Sequence, residues 1–254
     1  MCTLLILFRP KHQWPLIIAG NRDEMLDRKW KKPAYHWKEF PSVIAGKDIL
    51  AGGTWLGINK TGMVATVLNR NNSLGPSNNK ISRGVLPLLI LKHKNIKLAK
   101  SELKSLKLEN WKSFNLFFGD SKNAYWAKHN NNNTNSIQIK KIPPGKHILD
   151  SHDLDSFKSP RIKLNFKNFL NAKDPDPENS DWHSWKKILS SKKHYKNNPL
   201  SAINISKTKD QNYGTSSSSI IAVPSSSTQN KIKNNLFLFN SGTPEKNNFS
   251  FIDT

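Results

Sequence analysis

MCTLLILFRPKHQWPLIIAGNRDE, residues 1–24, holds two apolar runs at residues 3–8 and 15–20, separated by the polar segment RPKHQW. Their length and uninterrupted apolar character predict adjacent strands that are buried on both faces and joined by a hairpin-like turn. If the strands pair antiparallel, the end of the second strand returns to the start of the first. We therefore expect the segment NRDE, residues 21–24, to lie beside Cys2, the only cysteine of the chain.

The position of Cys2, directly after Met1 and directly before a buried strand, allows two interpretations. A free cysteine is among the most buried residue types, and Cys2 is then a small apolar side chain at a strand start. Alternatively, removal of Met1 leaves a thiol and a free α-amino group on the same residue. That amine has a reference pKa of about 7.7–8 and is a suitable general base for a thiol nucleophile near neutral pH.

Arg22 and Asp23 are the charged residues that this pairing brings to Cys2. A buried cation lowers the pKa of a thiol, and a carboxylate orients a terminal ammonium group or the arginine itself. The alternative is a surface ion pair in a turn at the strand end, which contributes about 0–1 kcal/mol to stability. Both interpretations stay open at this point.

The size and composition of the chain indicate one domain over residues 1–254. A chain of 254 residues can bury a large core, and its single cysteine excludes an internal disulfide.

The apolar run at residues 3–8 is short, lacks a preceding basic region and is followed by Arg9 and Pro10, unlike a secretion signal. No stretch reaches the roughly 20 apolar residues that a membrane helix needs. We therefore expect a soluble, cytoplasmic protein.

The formal net charge of +22 suggests an acidic partner such as nucleic acid or an anionic membrane surface. The lysines, however, are spread along the chain beside many asparagines, without a nucleic-acid recognition motif. We expect weak association with anionic surfaces, falling steeply with salt, and no specific nucleic-acid binding.

A cluster of possible metal ligands lies close together in sequence at His147, Asp150, His152 and Asp153. Without a cysteine pair or an HExxH helix, this cluster predicts no metal site. No cofactor is expected.

Strand and helix patterns follow one another in blocks along the remainder of the chain. After NRDE, a loop is expected up to Ser42, then an antiparallel strand pair at residues 52–70 around the turn NKTG. Helices are expected at residues 82–91 and 98–108, and three short strands at 114–142. The helical pattern of residues 156–189 is interrupted by DPDPENS, and a strand pair follows at 218–224 and 235–242. This order favours layered α and β structure over a parallel doubly wound sheet.

Seven short motifs together resemble the NRDE family, also called the Transport and Golgi Organisation 2 family. They occur in the order and approximate spacing of the family across nearly the whole chain. They are MC followed by an apolar strand, NRDE at residues 21–24, GGTWLG at 52–57, LNR at 68–70, SRG at 82–84, FNL at 114–116 and YGT at 213–215.

The resemblance implies an α+β fold of the N-terminal-nucleophile hydrolase type, a four-layer αββα sandwich of two antiparallel sheets between helical layers. It also implies that Cys2 is the first residue of the mature protein and its nucleophile. In related N-terminal cysteine amidases an arginine and an aspartate flank the nucleophile, and Arg22 and Asp23 match that pair. An asparagine further along binds the oxyanion, and Asn69 is the matching candidate. Removal of one such donor typically costs about 3–4 kcal/mol of transition-state stabilisation.

Asn21 and the motif GGTWLG are further candidates for the substrate pocket. The glycines allow close approach of another backbone, and Trp55 is suited to a core position, which are structural roles. Alternatively, Gly53, Thr54 and Trp55 line a pocket facing Cys2 and supply backbone donors, because ligand pockets combine apolar walls with a few polar groups. We expect a mixed role.

Two positions depart from the family pattern. Family members usually carry arginine directly after YGT, where this chain has Ser216, and many carry asparagine at the position of Ser151. Serine offers neither the fixed fork of arginine donors nor the planar amide of asparagine. Substrate binding or turnover is therefore expected to differ from that of the family.

Two functions follow from the resemblance. The first is hydrolysis of an amide or other acyl bond of a small molecule, with Cys2 as nucleophile, its own α-amine as base, and Arg22, Asp23 and Asn69 in support. The second is a non-catalytic carrier of a small hydrophobic or anionic ligand, such as an acyl chain, an acyl thioester or haem. No motif identifies the substrate.

Overall fold

The fold is seen in a computed structural model that describes residues 2–71, 73, 75, 79–130, 136–208, 212–225, 234–245 and 248–254. Backbone contacts divide the chain into two compact units. The first combines residues 1–28 with residues 144–253, and the second spans residues 29–143. The expectation of one domain over residues 1–254 is not tested by this division and stays a prediction.

The described residues form thirteen strands and four α-helices. The strands are β1 (Thr3–Phe8), β2 (Leu16–Met25), β3 (Trp30–Tyr35), β4 (Val43–Asp48), β5 (Leu56–Asn59), β6 (Val64–Asn69), β7 (Phe114–Gly119), β8 (Ala124–His129), β9 (Gln138–Lys141), β10 (Gly145–Leu149), β11 (Tyr213–Val223), β12 (Leu236–Ser241) and β13 (Ser250–Ile252). The helices are α1 (Val85–Leu91), α2 (Ile96–Lys104), α3 (Pro160–Asn171) and α4 (His183–Leu189). Among these helices, none is both long enough and apolar enough to cross a membrane.

The first unit contains a six-stranded antiparallel sheet in the order β10-β1-β2-β11-β12-β13. Its β1–β2 hairpin pairs Thr3 with Asn21 and Phe8 with Leu16, and every residue of β1 is buried. The predicted antiparallel pairing of the first two strands is therefore confirmed. Their continuous apolar character follows from burial of both faces of the hairpin.

Strand β2 extends beyond its apolar run. The run ends at Gly20, but the strand continues through residues 21–24 to Met25, because these residues pair with the N-terminal half of β11. Buried polar side chains are stable in a strand where the fold supplies hydrogen-bond partners. The segment NRDE is thus part of the sheet and not a surface turn at its end.

Helices α3 and α4 share a hydrophobic core with one face of this sheet. The Ser159 hydroxyl caps α3 by accepting the backbone N–H of Ile162 at 3.1 Å, and Pro160 occupies the first turn. The helical break predicted at DPDPENS is confirmed, since it separates α3 from α4. The core includes Leu5, Leu7, Ile17, Ala19, Ile162, Phe169, Trp185, Ile188 and Ile220.

The second unit contains a seven-stranded antiparallel meander in which β3 to β9 pair in sequence order. Helices α1 and α2 contribute to its core, and Pro87 lies in the first turn of α1, where its missing N–H has no helical partner to lose. The core includes Val43, Ala45, Met63, Ala65, Leu86, Leu88, Ile90, Leu103, Phe114, Leu116 and Phe118.

Two sequence predictions in this unit are corrected. Residues 30–35 form the edge strand β3 and not a loop; Pro33 is tolerated because an edge strand needs fewer ladder hydrogen bonds. Helix α2 begins at Ile96 and ends at Lys104, and not at residues 98 and 108. Its start is fixed by Asn95, whose side chain accepts the backbone N–H of Leu98 at 3.0 Å.

Candidate active site

The candidate nucleophile, Cys2, immediately precedes β1 and is partly exposed. Because Thr3 pairs with Asn21, the antiparallel register directs Cys2 towards Arg22 and Asp23. The thiol accepts a hydrogen bond from the backbone N–H of Asp23. The structure thus brings Arg22 and Asp23 to Cys2, as the sequence predicts, and the catalytic roles of the three residues stay predictions.

Burial raises the pKa of the Cys2 thiol above its ordinary value, because a thiolate loses hydration there. The Asp23 N–H and the Arg22 charge oppose this rise, whereas the negative charge of Asp23 adds to it. The net effect is a thiol that stays protonated near neutral pH. A nucleophilic role for Cys2 therefore requires a base.

The guanidinium of Arg22 is buried, with 4 % of the residue exposed. Its Nη1 donates to Ser216 Oγ at 3.1 Å, and the same hydroxyl donates to the Arg22 carbonyl at 3.0 Å. Nη2 lies 3.6 Å from Glu24 Oε2. Ser216, at the position where the family usually has arginine, is therefore a hydrogen-bond partner of Arg22.

The carboxylate of Asp23 is completely buried and is held by two other elements of the first unit. Its Oδ2 lies 2.9 Å from Arg161 Nη1, and its Oδ1 accepts the Thr215 hydroxyl at 2.8 Å. The Tyr213 hydroxyl donates to the Asp23 carbonyl at 3.2 Å. A buried charge is tolerated when it is paired and hydrogen-bonded in this way.

Arg161, in the first turn of α3, is a site residue that the sequence did not reveal. Only 3 % of it is exposed, and its Nη1 donates to both Asp23 and the Thr3 hydroxyl. Its Nε and Nη2 donate to the Leu200 carbonyl at 3.2 and 2.9 Å. The contact joins residues 138 positions apart, and an arginine in a first helical turn carries no local signal of such a partner.

A β-bulge sets the side-chain directions of Thr215 and Ser216. The register between β11 and β2 shifts between Thr215, which pairs with Asp23, and Ser217, which pairs with Arg22. Ser216 is the extra residue, and a bulge redirects side chains at such a position. As a result, Thr215 bonds the carboxylate while Ser216 bonds the neighbouring guanidinium.

Asn21 is buried, and both the nitrogen and the oxygen of its side-chain amide form hydrogen bonds within the protein. Its Nδ2 donates to the carbonyls of Leu189 and Ile203, each at 2.9 Å, and its Oδ1 accepts the Ser218 hydroxyl at 2.7 Å. These bonds connect β2 with the end of α4. The geometry supports a structural role, and a contact between Asn21 and substrate stays a prediction.

Asp150 and Ser151 follow β10 directly and are buried. Burial acts to raise the pKa of Asp150, but hydrogen bonds from His152 and Ser159, together with the charge of Arg161, lower it below its usual value. The Ser151 hydroxyl lies 3.3 Å from His152 Nδ1. The charge of Arg161 thus acts on Asp150 as well as pairing with Asp23.

The two histidines of the residue 147–153 cluster contact different carboxylates. His147 Nδ1 lies 2.6 Å from Asp155 Oδ2, and His152 Nδ1 lies 3.4 Å from Asp150 Oδ1. Across the part of the chain that the structure describes, no three histidine, cysteine, aspartate or glutamate side chains form a group suited to a metal ion.

Gly53 and Thr54, in the second unit, lie against the backbone of Gly84. A Cβ on Gly53 would lie 2.4 Å from the Gly84 carbonyl carbon, and the Thr54 N–H donates to the Gly84 carbonyl at 2.8 Å. The Thr54 hydroxyl donates to the Leu56 carbonyl at 3.1 Å. These contacts explain the motif GGT structurally, and a substrate role for either residue stays a prediction.

Trp55 and Asn69 are the other candidates in the second unit. A Cβ on Gly46 would lie 2.3 Å from the Trp55 ring, which is also edge-on to Trp30 with ring centroids 6.0 Å apart. Asn69 ends β6 opposite Phe114 and is partly exposed. The roles of Trp55 in a substrate pocket and of Asn69 as an oxyanion donor stay predictions.

Residues 1–236 match the family model described as Transport and Golgi organisation 2. Among curated proteins, an uncharacterized protein of Saccharomyces cerevisiae is 36 % identical over 136 residues, which cover 47 % of this chain and 42 % of that protein. The Transport and Golgi organization 2 homolog of Mus musculus is 37 % identical over 76 residues, 27 % of each chain. The alignments thus span less than half of the curated relatives.

The solved structures of similar fold include a mutant of a conjugated bile acid hydrolase from Clostridium perfringens, with a TM-score of 0.54 and 11 % identity over 100 % of this chain and 92 % of that one. A Caenorhabditis elegans ortholog of N-acylethanolamine-hydrolyzing acid amidase gives a TM-score of 0.56 and 10 % identity over 87 % and 92 %. Penicillin V acylase from Agrobacterium tumefaciens gives a TM-score of 0.55 and 16 % identity, over 100 % of this chain and 86 % of that one. These likenesses, with the two antiparallel sheets, confirm the predicted N-terminal-nucleophile hydrolase-like fold.

Proposed function

The chain belongs to the Transport and Golgi organisation 2 family, and we propose that it is a hydrolase that uses Cys2 against an amide or other acyl bond of a small molecule. The main support is the hydrogen bond from the Asp23 N–H to the Cys2 thiol, next to an Asp23 carboxylate that Arg161 and Thr215 hold in place. Proteins of similar fold are named as a hydrolase and an amidase, which supports the proposed reaction class.

The proposed reaction begins after removal of Met1. The free α-amine of Cys2 takes the thiol proton, and the thiolate attacks the acyl carbon to form a C–S bond. The amine then gives this proton to the leaving nitrogen as the C–N bond breaks. Water adds to the resulting thioester and gives up a proton, the C–S bond breaks, and the sulfur recovers its proton as the acid is released. Because burial raises the pKa of the thiol, the proposed attack needs a base, and the α-amine of Cys2 is the group proposed for this role.

The surrounding residues have different proposed roles. Arg22 stabilises the thiolate electrostatically, and Asp23 does so through its backbone N–H. The charge of Asp23 opposes the thiolate and favours instead the ammonium group that the α-amine becomes. Both oxygens of its carboxylate are already bonded. Asn69 is the proposed donor to the oxyanion, on the basis of the family resemblance. Loss of such a donor reduces kcat by about 100- to 1,000-fold.

Intact mass spectrometry combined with an activated acyl ester tests the proposal. The purified protein is expected to lack Met1 and to gain one acyl group, and the adduct is expected to decay by hydrolysis. Because the chain has a single cysteine, a thioester on it identifies Cys2 directly. Cys2→Ala is expected to abolish the adduct.

A variant with an alanine inserted between Met1 and Cys2 provides the control for the base. It keeps the thiol but moves the α-amine to another residue, so acylation should slow sharply if the amine is the base. Retention of Met1 in the purified protein, or equal acylation of the inserted variant, would contradict the proposed mechanism.

A second candidate function is a carrier of a small hydrophobic or anionic molecule, such as an acyl chain, an acyl thioester or haem. This function needs no thiolate, and burial raises the pKa of the Cys2 thiol, which disfavours the thiolate in the absence of a base. Native mass spectrometry of the purified protein is expected to show a bound ligand of defined mass in this case, with no acyl adduct on Cys2.

A cytoplasmic location is part of the proposal. Its support is the single cysteine, which leaves the chain without an internal disulfide, as is usual for proteins of reducing compartments. Fractionation of cells that express the tagged full chain tests it, and recovery in a membrane-enclosed compartment would contradict it.

A further inference from the structure

A groove of about 440 Å³ in the second unit lies between the outer side of α2 and the start of β8. Its most prominent feature is a row of three lysines, Lys97, Lys100 and Lys104, on successive turns of α2. Ser101 and Asn123 add a hydroxyl and an amide. None of its lining residues is acidic. The groove therefore offers hydrogen-bond donors of two kinds to a ligand, the charged ammonium groups of the lysines and the neutral hydroxyl and amide groups.

The charge of this groove is not neutralised within its own helix. Lys97 and Lys100, and then Lys100 and Lys104, stand at the spacings i,i+3 and i,i+4, where like charges destabilise a helix. The single acid of α2, Glu102, contacts Lys92 at 2.9 Å and His93 at 3.3 Å instead. The first turn of α2 also lacks an acidic residue to offset the helix dipole. A bound anion would relieve this repulsion.

One of the three lysines is held in place by an aromatic side chain. The Lys100 ammonium lies 4.5 Å from the centroid of the Tyr125 ring, and Tyr125 stacks on Phe118 with centroids 5.5 Å apart. Tyr125 pairs with Lys141 across β8 and β9, and directly paired residues share a face of the sheet. A fourth lysine therefore stands on the face that forms one side of the groove.

We propose that this groove binds an anion that carries one or two phosphate groups. Lysine ammonium groups act as point-charge donors to phosphate, and a ligand with several negative charges matches several lysines better than a single carboxylate does. The volume lies in the range of small-molecule sites, about 300–1,000 Å³. The phosphate belongs either to a soluble small molecule or to the headgroup of an anionic lipid, which present the same chemistry to the lysines.

Titration calorimetry with inorganic pyrophosphate, using the full chain at fixed ionic strength, tests the proposal. The triple variant Lys97→Gln, Lys100→Gln, Lys104→Gln is expected to bind at least about tenfold more weakly, since hydrogen bonds to charged groups contribute the most to affinity. The matched control is Lys31→Gln, Lys32→Gln, Lys38→Gln, which removes the same charge from exposed positions of the same unit and should leave binding unchanged.

Flotation with vesicles of phosphatidylcholine, with and without phosphatidylglycerol, identifies the source of the phosphate. Binding of pyrophosphate alone assigns the groove to a soluble ligand, and additional capture by the anionic vesicles, lost in the groove variant only, assigns it to a lipid headgroup. Equal weakening in both triple variants would show an effect of net charge and overturn the proposal. Absence of binding to both probes, or binding of an RNA oligonucleotide alone, would overturn it as well.

Discussion

Asp23 is the residue on which the polar interior of the first unit depends most, because its carboxylate is fully buried and charged. Arg161→Met removes an ion-pair partner of this carboxylate, at 2.9 Å, while keeping a side chain of similar length. We expect the free energy of unfolding to fall by about 3–5 kcal/mol, the usual cost of leaving one buried charge unpaired. Urea denaturation at neutral pH measures this change.

Lys163→Met is the matched control for that substitution, since Lys163 is an exposed cation on the same helix. It should change the unfolding free energy by less than about 0.5 kcal/mol. Combining Arg161→Met with Asp23→Asn should recover part of the loss, because both charges are then gone. A fall below about 1 kcal/mol for Arg161→Met would show that the hydrogen bond from Thr215 and the other contacts of the carboxylate stabilise it without Arg161.

The pH dependence of Cys2 labelling tests the state of the thiol. Burial raises its pKa, so the thiolate forms only at a pH above that of a free cysteine peptide, and alkylation by iodoacetamide should reach half its maximal rate at that higher pH. Arg22→Met removes a charge that favours the thiolate, and should move the midpoint higher still. A midpoint below that of the peptide would contradict the direction of the shift.

At the scale of elements, apolar patterning predicted those strands and helices whose sequences consist mainly of apolar residues. The β1–β2 hairpin is of this kind, whereas the break between α3 and α4 was predicted from the prolines of DPDPENS. The extension of β2 through residues 21–24 could not be predicted, because its polar side chains are stabilised by partners on α3 and β11. Arg161 was missed for the same reason, since its partner lies 138 residues away.

The contact between the GGT and SRG motifs gives a prediction about an element. Gly53→Ala places a Cβ against the Gly84 backbone, which cannot rotate away as a side chain would. We expect a loss of at least about 2 kcal/mol of stability, in the range of overpacked sites. Thermal and urea unfolding of the full chain measure it.

Gly52→Ala is the informative comparison. Gly52 has a φ of 71° but open space around its Cβ position, so alanine there meets backbone strain without a clash. It should cost only about 1 kcal/mol. Equal losses at both positions would mean that the Gly84 backbone shifts to accommodate the methyl group.

At the scale of the whole molecule, the excess charge is concentrated in one part of the sequence. Residues 29–143 carry 20 lysines and arginines against 5 aspartates and glutamates, although they are less than half of the chain. The sequence alone indicates lysines spread along the whole chain and predicts only weak association with anionic surfaces. The positive charge is nevertheless distributed unevenly between the two units, because the second unit contains most of the excess of lysines and arginines over acidic residues.

A net charge of +22 predicts that salt stabilises the folded protein. Like charges held close together in a compact state repel one another, and the screening length falls from about 30 Å to about 10 Å between 0.01 and 0.1 M salt. We expect Tm to rise with sodium chloride over this range by about 2–4 °C, which corresponds to about 1 kcal/mol for a chain of this size. The control triple variant Lys31→Gln, Lys32→Gln, Lys38→Gln lowers the charge and should show a smaller rise. A Tm that falls with added salt would mean that exposed attractive pairs such as Lys173 with Asp181 outweigh the repulsion, and that the excess lysines lie too far apart to destabilise the fold.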